Sequence, residues 1–155
     1  MAAGASSSVF LHYFTTVFDH IEDAVLLVGV GPGDDFTLLM CNEAFARNSG
    51  HSRKSVGKKV RDIVHPTSYP GLAEKYRQVV AAKQAISYEE QFQVPLGKQC
   101  YDITLLPVLN AIGECRQILA ITRNITELRT LQNQLSEVKA TLAQLQKQLN
   151  QPLSE

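Results

Sequence analysis

The stretch CRQILAITRNITELRTLQNQLSEVKATLAQLQKQL, residues 115–149, decides the fold of this chain. Its first part is rich in apolar and β-branched residues, which predicts a strand, and it passes without glycine or proline into a helical pattern. There, apolar residues alternate spacings of three and four, as at the a and d positions of a heptad repeat. The members of this heptad seam are Leu128, Leu131, Leu135, Val138, Leu142, Leu145 and Leu149. A seam sustained over about three heptads predicts a helix that pairs with another helix.

The composition allows one domain with an appendage. The chain has 155 residues, of which 45% are hydrophobic and 19% charged. Fifteen basic and fifteen acidic residues give a formal net charge of zero, so neither a nucleic acid nor an anionic membrane is a predicted partner. The densest basic cluster is short and interrupted, and is interpreted as a solvated surface. It consists of Arg53, Lys54, Lys58, Lys59 and Arg61.

Three cysteines indicate the compartment. Cys41, Cys100 and Cys115 lie far apart and show no metal-ligand spacing, which predicts free thiols in a reducing, cytoplasmic environment. The N-terminus lacks the basic and apolar regions of a signal peptide, and no apolar run approaches the ~18 residues of a membrane span. The chain is therefore expected to be neither secreted nor membrane-spanning.

The pattern of elements predicts an α+β fold. Residues 1–8 are small and are expected to be disordered, and residues 9–22 have the apolar spacing of a cap helix. This helix either packs on its own domain or also joins a dimer interface, and both interpretations stay open. Strands are predicted at 23–30, 36–41, 86–94, 100–109 and 114–122. Between them, Asn42 and Ser52 are predicted caps of short helices, and a longer helix is expected at about 69–84.

Several segments resemble the PAS domain of bacterial signalling proteins. They are NEAF at 42–45, SGHS at 49–52, VGK at 56–58 and ITRNIT at 121–126. The resemblance implies a five-stranded antiparallel sheet with helices over one face, an N-terminal cap helix and a long C-terminal coiled-coil helix. It places the PAS domain at residues 23–124, the signalling helix at 125–150 and a tail at 151–155.

Three residues depart from the family pattern, and the departure with the largest expected effect lies at the end of the domain. His51 stands where an aromatic residue is usual and Ser55 where Glu is usual, while Asn124 replaces the Asp of a D-I-T motif. In the family that carboxylate can form an ion pair that ties the sheet to the helix base. An amide keeps a hydrogen bond but loses the charge-assisted part, a difference of ~1 kcal/mol.

A signal junction is therefore predicted at Arg123, Asn124, Ile125 and Thr126. Ile125 precedes Leu128 by three residues, a spacing that breaks the alternation of the seam and places a phase discontinuity at the junction.

Members of the family that bind a cofactor carry characteristic residues for it, and this sequence lacks them. Covalent flavin photochemistry needs a reactive Cys, yet the corresponding stretch, KKVRDIVHP at 58–66, has none. Haem-binding members use a His from the long helix, and residues 69–84 contain none, so no cofactor is predicted. His65 is interpreted as a loop histidine rather than a haem ligand. No catalytic motif or metal-ligand cluster appears, so the chain is not expected to be an enzyme.

The family also implies a small-molecule pocket between sheet and helices. Strand alternation and helix faces predict inward positions for Leu26, Val28, Met40, Phe45, Ile63, Tyr76, Val80, Phe92, Ile103, Leu105 and Ile118. The favoured interpretation is that these residues simply fill the core, because Tyr76 alone offers a polar group.

The leading hypothesis is a PAS-type sensory and dimerisation module. A shift of the last strand would move residues 124–126 and alter a parallel coiled coil in a homodimer, which would act on an effector outside this chain. A receptor for a small molecule or cofactor and a plain dimerisation scaffold are the alternatives.

Overall fold

The computed structural model describes residues 3–33, 35–94 and 97–150. The helices are α1 (Ala3–His20), α2 (Glu43–Ser49), α3 (Val60–Ile63), α4 (Tyr69–Ala82) and α5 (Thr126–Leu149), with a 3-10 turn at Arg53–Ser55. The strands are β1 (Ala24–Gly31), β2 (Asp35–Cys41), β3 (Ile86–Val94), β4 (Gly97–Leu109) and β5 (Cys115–Asn124). They form one five-stranded sheet in the order β2-β1-β5-β4-β3. The predicted α+β fold, with an antiparallel sheet and a long C-terminal helix, is confirmed.

The N-terminal helix differs most from expectation. It begins at Ala3, so the predicted disorder is wrong for residues 3–8, while residues 1–2 and the predicted tail at 151–155 lie outside the described residues. Alanine and serine oppose a helix little, and each residue added to an existing helix gains a hydrogen bond. The helix that the apolar pattern predicts from Val9 onward therefore extends toward the N-terminus, as far as Ala3.

Two other elements end elsewhere than predicted. Helix α4 stops at Ala82 because Lys83 takes a left-handed conformation, with φ of 53°, and its N–H bonds to the carbonyl of Val79. Strand β5 continues to Asn124, two residues beyond its predicted end, so only Ile125 separates strand from helix.

The described residues divide into two compact units. The first comprises the chain up to Glu90 together with Asp102–Arg123, and the second comprises Gln91–Tyr101 together with the chain from Asn124 onward. The sequence predicted that the signalling helix alone would stand apart from residue 125. The second unit also includes the β3–β4 hairpin end, because Cys100 hydrogen-bonds to the residues that begin α5.

The core of the first unit lies against one face of the sheet. The edge of the Tyr76 ring from α4 meets the Phe36 ring from β2, with centroids 4.9 Å apart and planes at 69°. Such a pair contributes about 0.5–1.5 kcal/mol beyond its area burial. Around it, four further side chains are almost fully enclosed: Val28, Val79, Leu105 and Ile118.

Asn42 is a fully buried polar residue that connects three elements of the first unit. Its Oδ1 accepts hydrogen bonds from Val25 N in β1 at 2.9 Å and from Phe45 N in α2 at 3.1 Å. The second bond confirms the predicted cap of α2. Its Nδ2 donates to the carbonyls of Asp23 at 2.9 Å and of Phe18 and Ile21 at 3.3 Å each. One side chain thus satisfies backbone groups at the end of α1 and at the starts of β1 and α2.

Replacing Asn42 with Asp is expected to lower the free energy of unfolding by about 3 kcal/mol or more. The carboxylate removes the donor and places negative charge against three carbonyl oxygens in a buried site. Urea unfolding followed by far-ultraviolet circular dichroism measures the change. The control Asn48→Asp, on an exposed position of α2, should cost less than ~1 kcal/mol. Equal losses in the two variants would contradict the role given to Asn42.

Candidate functional site

Arg123 of the predicted junction belongs to the first unit, and its other three residues, Asn124, Ile125 and Thr126, lie in the second unit, where β5 passes into α5. Ile125 occupies the single residue between them and is 8% exposed. Its N–H donates to the carbonyl of Cys100 in β4 at 2.9 Å, and its own carbonyl accepts from Arg129 N in the first turn of α5 at 2.9 Å. The backbone of this one residue therefore bonds both to the sheet and to the helix.

The side chain of Asn124 adds a second layer of bonds. Its Oδ1 accepts from the Thr126 N–H at 3.0 Å and from the Thr126 hydroxyl at 2.6 Å, while its Nδ2 donates to Gln99 Oε1 at 3.3 Å. The Thr126 Oγ1 in turn accepts from Cys100 N at 2.9 Å. Gln99, Cys100, Asn124, Ile125 and Thr126 form what is called the junction network below.

The amide at position 124 makes a set of hydrogen bonds that a carboxylate could not make in full. A carboxylate could accept both bonds from Thr126 but could not donate to Gln99, whose Oε1 also accepts from the Tyr101 hydroxyl at 2.5 Å. The substitution relative to the family pattern exchanges a charged acceptor for a neutral group that both accepts and donates. Each partner of Asn124 at the junction is uncharged.

An ion pair does occur at the neighbouring position, within the first unit. Arg123 donates through Nε to Asp23 Oδ2 at 3.1 Å and through Nη2 to the same oxygen at 2.9 Å. This contact raises the pKa of the guanidinium. It connects the end of β5 to the start of β1. The guanidinium is well exposed, so this pair stabilises weakly compared with a buried hydrogen-bonded group.

The heptad seam projects from α5 without a partner in the described chain. All seven side chains are exposed, from 50% at Leu145 to 84% at Leu149, whereas Ile125 is buried. The opposite face of α5 carries glutamines and charged residues, as the heptad interpretation expects. The predicted break in the heptad spacing lies between Ile125 and Leu128. The side chain of Ile125 is buried, and that of Leu128 is exposed.

Five of the eleven predicted pocket residues are buried, and six are half-buried. Val28, Tyr76, Ile103, Leu105 and Ile118 are buried, while Leu26, Met40, Phe45, Ile63, Val80 and Phe92 are half-buried. Phe92 belongs to the second unit, where its ring lies 5.6 Å from that of Tyr101, and the other ten belong to the first. Ligand binding by this set stays a prediction.

An open cleft lies elsewhere in the first unit. It has a volume of about 450 Å³ and shares Val80 alone with the predicted pocket. Its lining consists of Val30, Gly31, Pro32, Val80, Lys83, Glu114, Cys115 and Arg116. Within it the Glu114 carboxylate is bound by Arg116 and by Asn110, contacts that lower the pKa of this carboxyl.

The buried Tyr76 and the half-buried Tyr88 have hydroxyl groups with raised pKa values. Burial raises the pKa of Tyr76 well above its ordinary value and raises the pKa of Tyr88 to about 12. Among the described residues, the Tyr88 Oη is the buried side-chain oxygen or nitrogen that has no hydrogen-bond partner. The ammonium group of Lys75 lies 5.0 Å from the centre of the Tyr88 ring.

The remaining candidates occupy ordinary positions. His65 is exposed, with its Nδ1 2.8 Å from the Thr67 hydroxyl, as expected of a loop histidine. Cys41, Cys100 and Cys115 are all free, and burial raises the pKa of Cys41 and Cys115. Within the described ranges, no His, Cys, Asp and Glu side chains form a group that could hold a metal ion, and no helix has the length and apolarity to cross a membrane.

Sequence reasoning missed three contributors to these sites. It identified Asn42 only as a helix cap, and it did not identify Asp23 or Cys100. The pairing of β4 with the start of α5 leaves no local signal at Cys100, because the contact is made by its backbone. Asp23 carried a weak signal, since it is an acidic residue directly before an apolar strand.

Comparison with known proteins agrees with this architecture. The family model described as the PAS fold matches residues 18–130. The sensor protein ArcB of Escherichia coli, which controls aerobic respiration, is 28% identical over 97 residues, covering 61% of this chain and 12% of ArcB. The chain thus spans about an eighth of that curated relative.

Solved structures show the same fold. An RNA-binding Light-Oxygen-Voltage receptor superposes with a TM-score of 0.66 at 21% identity, covering 91% of this chain and 39% of the receptor. The PAS domain of BvgS from Bordetella pertussis gives a TM-score of 0.59 at 18% identity, covering 85% of this chain and 98% of that domain.

Replacing Tyr88 with Phe is expected to leave the free energy of unfolding unchanged or raise it by about 1 kcal/mol. The change removes a buried hydroxyl without a partner and keeps the ring beside Lys75. Thermal and urea unfolding measure the effect, and Tyr13→Phe at an exposed position is the matched control. A loss of stability confined to Tyr88→Phe would instead show that this hydroxyl has a bound partner in solution.

Proposed function

The chain belongs to the PAS fold family, and on that basis we propose that it is a sensory and dimerisation module of a signalling protein. In this proposal, a change in the sheet passes through the junction network to a parallel coiled coil formed by two copies of α5. An effector outside this chain receives the change. The module has no catalytic role of its own, and its free thiols fit a cytoplasmic location.

The observation that carries the proposal is the junction network. Strand β4 bonds to the start of α5 through Cys100, whose carbonyl accepts from Ile125 and whose N–H donates to Thr126. A displacement of β4 or β5 must therefore either move the first turn of α5 or break these bonds. Breaking them costs about 0.5–1.5 kcal/mol for each bond.

The seam supplies the reason for pairing. Each copy exposes seven apolar side chains, and burial of one such side chain contributes up to about 1.5–3 kcal/mol before the cost of association. The flanking e and g positions are mainly glutamine, so charge does not oppose two identical helices. Parallel order is proposed because it brings the two junction networks to the same end of the coiled coil.

Helix α1 is proposed as a second contact between copies. Its exposed residues Val9, Tyr13 and Val17 recur every four positions and form an apolar stripe, while Phe18 on another side is buried. An apolar stripe on a surface helix favours an interface over solvent. This supports the interpretation in which the cap helix also joins the dimer.

A ligand receptor is the second candidate function. The unpartnered Tyr88 hydroxyl favours it, because a bound molecule could supply the missing hydrogen bond. Native mass spectrometry and an absorption spectrum of the purified protein would test it directly. Added mass that is lost in Tyr88→Phe would support a receptor, and a colourless protein of unmodified mass would argue against one.

Replacing Leu135 with Asp is expected to weaken dimerisation by about 100-fold or more, because it places a charge at an a position of the paired helix. Size-exclusion chromatography with light scattering over a dilution series measures the mass. Ser136→Asp, on the neighbouring outward position, should leave the dimer intact. Truncation after Arg129 should have the effect of Leu135→Asp. If the full chain and the truncated chain are both monomers, the coiled-coil proposal is wrong.

Replacing Asn124 with Asp tests whether the junction is coupled to the helix pair. The carboxylate loses the bond to Gln99 and faces its oxygen, which is expected to change the dimer dissociation constant by about fivefold, or ~1 kcal/mol. Hydrogen exchange of the Cys100 and Ile125 amides should accelerate in the same variant. The control is Asn133→Asp on the exposed face of α5. If dissociation and exchange are both unchanged, α5 serves only as a tether.

A further inference from the structure

The contacts of Asp23 connect the N-terminal helix to the end of the last strand. Its backbone carbonyl accepts from Asn42 Nδ2 at 2.9 Å, and its carboxylate binds the Arg123 guanidinium. Asn42 Nδ2 also contacts Phe18 O in the last turn of α1 and Ile21 O just after it. A continuous series of hydrogen bonds therefore runs from α1 through Asn42 and Asp23 to Arg123, and all of it lies in the first unit.

The Asn42 amide offers fewer hydrogens than this arrangement has acceptors. A primary amide carries two N–H donors, yet three carbonyls lie within 3.3 Å of Nδ2. The Asp23 carbonyl, at 2.9 Å, takes one hydrogen, so the carbonyls of Phe18 and Ile21 share the other at 3.3 Å each. A small shift of α1 favours one of these two acceptors over the other. The division of this hydrogen between the two carbonyls is therefore set by the position of the end of α1.

A second side chain holds the same end of α1. The Asp19 carboxylate accepts from Glu43 N, at the start of α2, at 3.2 Å, and it pairs with Arg53. This contact raises the pKa of the Arg53 guanidinium. Among the described residues Asp19 makes no hydrogen bond or ion pair with Asp23 or Arg123, so a change at Asp19 loosens α1 without removing a contact of the strand end.

We propose that α1 is a second input to the module, which acts on the end of β5 through Asn42, Asp23 and Arg123. A second copy that binds the exposed stripe of Val9, Tyr13 and Val17 and moves the last turn of α1 would thereby bias the strand that leads into α5. Coupling of this kind is reciprocal, so a change at Arg123 must also be felt in α1. This role deepens the proposed relay, but the coupling itself requires neither a coiled coil nor a dimer.

The forward test is hydrogen exchange of the full chain, read residue by residue, in Arg123→Gln. Amides in the last turn of α1 should exchange about two- to fivefold faster, the range that loss of an exposed ion pair can produce. The matched control is Arg116→Gln, which breaks a comparable exposed ion pair with Glu114 near the start of the same strand. No acceleration in α1, or equal acceleration in the two variants, would overturn the proposal.

The reverse test is exchange in Asp19→Asn, which weakens the hold on α1. The amides of Thr122 and Arg123 should exchange about two- to fivefold faster than in the unmodified chain. Unchanged exchange there would overturn the proposal even if the forward test succeeded, since coupling must act in both directions. Dimer mass in Leu135→Asp tests the proposed relay separately, so the two failures can be told apart.

Discussion

The side-chain amide of Asn42 is the interaction on which the first unit depends. Helix α1 ends and β1 and α2 begin within a short length of chain, and each end leaves backbone groups without partners in its own element. A buried group that both donates and accepts can satisfy all of them at once. Aspartate lacks the donor and serine lacks the reach, which leaves asparagine as the residue type that fits.

The second unit solves a related problem by different means. One residue separates β5 from α5, which is too short a connection for a turn. The backbone of Cys100 bonds to the residues at this point: its carbonyl accepts from Ile125 N, and its N–H donates to the Thr126 hydroxyl oxygen. Ile125, the one residue between the strand and the helix, is buried, whereas Leu128 in the first turn of α5 is exposed. The break in the heptad spacing between Ile125 and Leu128 marks the place where the strand ends and the helix begins.

Periodicity and cap chemistry were enough to predict the five strands, the long helices and the caps at Asn42 and Ser52, because these features depend on residues close in sequence. The arrangement of the strands in one sheet followed from the family resemblance. They could not predict that Asn42 Nδ2 reaches carbonyls before β1, since that contact depends on how α1 packs. The early start of α1 was missed because small residues carry no apolar pattern. The junction was located from Asn124 and Ile125, yet its partner Cys100 acts through backbone atoms that no side-chain pattern reveals.

With an amide at position 124, two neighbouring residues at the end of one strand make two different kinds of contact, one charged and one neutral. Arg123 makes a charged, exposed contact with Asp23, whereas Asn124 makes neutral contacts with Gln99 and Thr126. Salt screens exposed ion pairs and leaves neutral hydrogen bonds nearly unchanged. The contact between the end of β5 and the start of β1 is therefore sensitive to ionic strength, while the contact at the start of α5 is not. A carboxylate at position 124 could accept the bonds from Thr126 but could not donate to Gln99, so the amide gives the strand end an uncharged set of contacts at the start of α5.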